Sequence, residues 1–211
     1  MPRPADLART LHRIAATGVG VYVLAHLANH LAALRGIGAH IAFMQAMRTL
    51  TRVPAGETLL LAGAAVQAGS GLWLLRRARR RPPLRLPFER LQAWSGAYLA
   101  LFLLVHVASV LFGRAVLGLD TNFWFAAAGL HSAPWPLFFV PYYGLAVAAT
   151  FVHLACALRR RLPAGMALSS RNRIAWSAIA AGIVLALLIV AAFSGVFYPV
   201  EPPAAYRATF A

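Results

Sequence analysis

The sequence predicts an all-α integral membrane protein: a bundle of five transmembrane helices, with the N-terminus cytoplasmic and the C-terminus outside. Three observations carry this reading. Of the 211 residues, 61% are hydrophobic and 12% charged, about half the charged fraction of a soluble domain. Apolar runs near 20 residues recur along the chain, the length at which a helix crosses a bilayer. Backbone that meets lipid must then satisfy its own hydrogen bonds, which a helix does. Finally, the 20 basic residues, all arginine, sit between the apolar runs.

The spans fall at about 11–34, 57–77, 91–113, 137–159 and 174–198. Arg3, Arg9 and Arg13 lie at the N-terminal end, around the start of the first. Most other arginines lie in the second connection, "RRARRRPPLRLPFER", and the fourth, "RRRLPAGMALSSRNR". The first and third connections and the tail are poorer in arginine and carry Glu57, Asp120 and Glu201. Because positive residues stay on the cytoplasmic side, this alternation orients the chain and points to a multi-pass protein of a bacterial inner membrane. A net charge of +15 placed at span ends reads as topogenic, not as a nucleic-acid face. The start, "MPRPADLARTLHR", lacks a small-residue cleavage site, so the first span is expected to be retained.

Pro82, Pro83 and Pro87 make the second connection stiff and non-helical. The third, "AVLGLDTNFWFAAAGLHSAPWP", is expected to fold over the outer mouth of the bundle, with Trp124 and Trp135 in the headgroup zone. Cys156 is the lone cysteine, so an internal disulfide and CxxC chemistry are excluded. "VQAGSGLWL" and "LQAWSGAYL" share a Q-x-x-S-G pattern, too short to establish an internal repeat.

The histidines carry the chemistry. Ionisable residues inside a membrane are rare and face the bundle interior with a partner. His26 and His30 lie in the first span, His106 in the third and His153 in the fourth. His26 follows Leu11, and His106 follows Leu91, by the same count of residues, which puts both about 22 Å from the inner end of their spans. The two spans run in one direction, so the imidazoles are level, in the outer half. Two level imidazoles on facing helices suit a six-coordinate b-type haem. The alternative is histidines that hydrogen-bond across helices without a cofactor. His30, one turn on, is a secondary candidate. A zinc site from His30, His40 and His131 has no recognised spacing to support it, and His40 and His131 are expected to be solvated.

Taken in order, the motifs resemble the membrane anchor of succinate dehydrogenase and fumarate reductase in its single-chain, five-helix, di-haem form. "LHRIAATGVGVYVLAHLANH" resembles that family's first helix, "LQAWSGAYLALFLLVH" its third, and "YYGLAVAATFVHLACAL" its fourth. The resemblance implies that His26 and His106 hold the outer haem and that His153 matches the helix-four ligand of an inner haem. The helix-two ligand position in "GAAVQAGSGLWLL" is held by Gln67, a poor ligand for haem iron, so one haem is expected in preference to two. His12 could substitute as a ligand, though the family's HR pair implies that Arg13 contacts a haem propionate or quinone.

The expected function is thus that of a cytochrome b anchor passing electrons between a partner dehydrogenase or reductase and membrane quinone. Arg13, Gln92 and Ser95 are the candidate quinone contacts. Flavin and iron–sulfur centres would sit on partner subunits, because the chain has no flavin-binding glycine fingerprint and too few cysteines. The chain would be non-catalytic by itself. Two rivals stand: a structural subunit of a larger membrane assembly with haem absent or redox-silent, and a transporter or haem-handling protein.

Overall fold

The computed structural model describes residues 4–79 and 86–210. Its long helices are α1 (Pro4–Ala32), α3 (Pro54–Arg79), α4 (Pro87–Ala115), α6 (Pro136–Arg161) and α7 (Leu168–Phe193), each long and apolar enough to cross a membrane. Shorter helices are α2 (Ile37–Thr51), α5 (Phe123–Ala128) and α8 (Ala204–Arg207), and no strand occurs among the described residues. α3, α4 and α6 all begin on proline, where the missing N–H costs nothing and the ring presets a helical φ. Pro82 and Pro83 lie outside the described residues.

Consecutive long helices pack side by side: α1 on α3, α3 on α4, α4 on α6, and α6 on α7, which make the largest interface. α7 returns to α1 through the short 3₁₀ turn Ala33–Arg35 and closes the ring. α1 and α4 therefore face each other across its interior. The close α6–α7 approach depends on Gly182, where an added Cβ would lie 2.1 Å from Cβ of Phe151. Apolar side chains such as Leu101, Leu104, Ile183 and Leu187 point outward, which suits contact with lipid.

The predicted fifth span overruns the helix, which stops at Phe193. Gly195 adopts φ +80°, Gly195 N–H donates to Ala192 O at 3.3 Å, and Val196 N–H donates to Ala191 O at 3.0 Å. This is a Schellman C-cap, which uses glycine to close the last carbonyls. The first connection, read as a loop, is the helix α2, which buries His40 and Met44 one turn apart.

The third connection does fold back on the end of the bundle away from the arginine-rich connections. Asn122 caps α5 by accepting from Trp124 N–H at 2.9 Å. Fully buried Phe123 joins Leu27, Val147, Ile189 and Phe193 in the main core. Trp135 is exposed and Trp124 half-buried. Asp120 in this connection pairs with Arg48 at 2.7 Å, and its backbone oxygen accepts from the Tyr206 hydroxyl at 3.0 Å. Burial works to raise the Asp120 pKa, but the Arg48 bond and charge overcome it and hold the carboxyl below its usual range. Arg114 on α4 reaches Glu57 on α3 in a second ion pair at this end.

Substituting Gly182→Ala should therefore strain the α6–α7 contact by about 1–3 kcal/mol, the usual cost of overpacking. The expected result is a lower thermal-unfolding midpoint for the purified protein in detergent. An unchanged midpoint would show that the contact is not limiting.

Candidate functional site

Polar side chains in the bundle interior gather in two tiers. The first lies toward the α2–α5 end. His26 and His30 meet edge to face one turn apart on α1, with Nε2 to Nε2 at 3.0 Å. His106 on α4 faces His26 across the ring of helices, with ring centres 6.1 Å apart and planes at 64°. Each of these facing imidazoles is supported by an aromatic ring one turn earlier on its own helix. Tyr22 stacks on His26 at 5.6 Å and 17°, and Phe102 stacks on His106 at 5.0 Å and 14°.

From His26 a hydrogen-bonded chain runs outward. His40 Nε2 lies 3.3 Å from His30 Nδ1 and 3.2 Å from the Asn29 amide nitrogen. Since that amide donates, Nε2 of His40 is an acceptor. His30 then donates from Nδ1 and accepts at Nε2 from His26, while Nδ1 of His40, which carries that ring's proton, is buried without a hydrogen-bond partner. This tautomer assignment follows from the network. The chain ends in a sealed spot, because His40 is 2% exposed and the rings of Phe123 and Phe193 meet its ring edge to face. His40 is thus a buried member of the cluster, contrary to the expectation of a solvated loop residue. Burial, reinforced by the nearby Arg48 charge, pushes its pKa down to about 4.

The second tier lies toward the arginine-rich end. His12 Nδ1 meets Ser70 Oγ at 3.0 Å, and its Nε2 lies 3.2 Å from the Gln67 amide nitrogen. His153 Nδ1 meets Ser95 Oγ at 3.2 Å, and Ser95 is 4% exposed. Gln67 therefore partners His12 and not the helix-four histidine.

The other candidates disperse. Ser95 is committed to His153, Gln92 accepts from Arg160, and Arg13 is exposed on α1; no described contact joins Arg13 to Gln92 or Ser95. The suggested zinc trio fails as well. His30 and His40 meet, but His131 Nε2 donates to Phe193 O at 2.9 Å, and no group of three or more His, Cys, Asp or Glu among the described residues could hold a metal ion. Sequence reasoning passed over Asn29, Tyr22, Phe102 and Ser70. Tyr22 and Phe102 carried a usable signal, since each precedes a deep histidine by four residues.

Comparison with protein-family models, with curated proteins and with solved structures found no match.

His40 titrates near 6.5 when unfolded and near 4 in the fold. Between these values the unfolded chain takes up a proton that the fold refuses, so this residue makes stability fall as pH drops through that window. Thermal midpoints in detergent from pH 7 to 4 should show a shallower decline for His40→Gln than for the unaltered protein. Identical slopes would mean that His40 is not held neutral.

Proposed function

We propose that this chain is a membrane cytochrome b, holding one haem between α1 and α4 through His26 and His106. The observation that carries the reading is the facing pair at 6.1 Å. A transition metal binds an imidazole nitrogen at about 2 Å, so two rings on opposite sides of one metal have centres about 6 Å apart. The two helices oppose each other without close packing, which suits a planar group inserted between them. Tyr22 and Phe102 would fix the ring planes, and the apolar wall of the bundle would exclude water. Such supports set ligand orientation and redox potential.

When bound, haem supplies reversible one-electron exchange at its iron. The chain's own part is to bind and orient that group within the membrane. His30 has a dependent role: Nε2 of His26 now donates to it, so ligation through that atom requires His26 to carry its proton on Nδ1 and His30 to give up the bond. With the arginine-rich connections cytoplasmic, the site lies in the outer half of a bacterial inner membrane. The chain then serves as the anchor and electron-transfer subunit of a quinone-linked complex, with flavoprotein and iron–sulfur partners on other polypeptides.

One observation favours a second reading, the structural subunit without haem: His26 bonds to His30 and His30 to His40 with no metal at all. The two readings separate on a single variant. His106→Ala, expressed with ample haem supply, should lose the haem of this site while remaining monodisperse. A pyridine haemochrome assay per chain reads the loss. Undiminished haem would remove His106 as a ligand, and no haem in the unaltered protein would leave the structural reading.

A further inference from the structure

At the arginine-rich end, α4, α6 and α7 meet in one corner of the bundle. Residues 151–200 hold five arginines and no acidic residue. Arg159, Arg160 and Arg161 form the last turn of α6, and Arg171 stands in the first turn of α7. Nε and Nη2 of Arg171 both donate to Arg159 O, at 3.2 and 2.9 Å, closing a carbonyl that the helix end leaves open. Arg159 Nε donates to Asn172 Oδ1 at 2.7 Å, and its guanidinium carbon lies 4.4 Å from the centre of the Phe88 ring. Phe88 in turn meets Trp176 of α7 at 5.4 Å, and Arg160 donates to Gln92 of α4.

These contacts orient the guanidiniums without neutralising them. Every bond goes to a neutral oxygen, and none of the four arginines pairs with a carboxylate among the described residues, Glu89 of α4 included. Fixed positive charges with N–H groups to spare suit an anion that offers several oxygens. The height of the corner decides which anion. Trp94 and Trp176 are exposed on α4 and α7, seven and eight residues in from the helix starts. Trp73 is exposed on α3, six residues before its end. Three outward indoles at one level, about 9–12 Å in from the helix ends, mark the headgroup zone. The arginines lie just beyond it, at phosphate height. Inward from Arg161 come Leu158 and Leu154, all three exposed and spaced as neighbours on one helix face. A charged head thus stands above an apolar stripe.

We propose that this corner is a binding site for an anionic phospholipid. Arg159, Arg160, Arg161 and Arg171 take the phosphodiester, and Leu158 and Leu154 take an acyl chain. Arginines at a membrane surface attract anionic headgroups, and the leucine stripe inward of the indoles distinguishes a lipid from an acidic soluble protein. Arg76 and Arg77 of α3 provide the contrast. They are exposed at the same end, but the contact that holds Arg77 is Trp73 of its own helix, at 5.6 Å. The site rests on the membrane-spanning helices and is independent of haem.

The test takes the full chain, delipidated in neutral detergent, and titrates it with dioleoyl phosphatidylglycerol or dioleoyl phosphatidylcholine. Native mass spectrometry counts the bound lipid. The unaltered protein should bind phosphatidylglycerol tighter by about tenfold or more. Arg159→Gln with Arg171→Gln should remove that preference, whereas Arg76→Gln with Arg77→Gln should leave it within about twofold. If the first pair proves polydisperse, Arg160→Gln with Arg161→Gln, both exposed, takes its place with the same expected loss. Soluble glycerol phosphate should bind far more weakly than the lipid. Equal affinity for the two lipids overturns the proposal and leaves the patch to an acidic protein partner. An equal loss from the α3 pair also overturns it, reducing the effect to diffuse charge. Glycerol phosphate bound as tightly as the lipid would remove the acyl-chain assignment and make the site one for free phosphate.

Discussion

An imidazole placed in an apolar helical bundle must give its ring nitrogens partners, because no water is at hand to supply them. This constraint organises the interior. α1 carries His12, His26, Asn29 and His30, and the fourteen residues from His12 to His26 are close to four helical turns. The two deep histidines therefore share a face of α1, one meeting the serine and glutamine of α3, the other looking across to His106 on α4. Every described imidazole in the spans has a polar or aromatic partner from a preceding turn or a facing helix.

The end of the bundle away from the arginine-rich connections is built to keep the larger histidine cluster dry. α2 lays His40 against His30, and α5 brings Phe123 over it. Phe193 completes the cover just before the glycine cap ends α7. The Arg48–Asp120 pair and the bond from Tyr206 pin α2, the third connection and the tail together. These contacts give the cluster a low-dielectric setting in which neutral imidazoles are favoured, which is also the form that ligates a metal.

Much of this was legible in the sequence because helical rise is fixed. Counting residues from Leu11 and Leu91 set His26 and His106 level, and the fold puts their rings together. Span boundaries were less legible, because α3 and α6 run on through Arg79 and Arg161. Long arginine side chains can reach water from within a helix, so a basic run does not mark where the helix stops. α2 escaped notice because a short helix with one buried face carries too little apolar run to announce itself. The partners of His30, His40 and His153 depend on helix rotation and on which residues a neighbour presents. Hydropathy along one chain holds neither. The paired Q-x-x-S-G stretches gained meaning only when each serine was found against a histidine distant in sequence.

The central claim is that His26 and His106 grip a haem iron from both sides. The most direct measurement is the reduced-minus-oxidised optical spectrum of the full chain, purified from membranes of haem-sufficient cells, for the unaltered protein beside a His26, His106 double alanine variant. The account predicts a b-type alpha band in the first and a loss of intensity in the second. A featureless spectrum, or an alpha band of equal intensity in both, would contradict it.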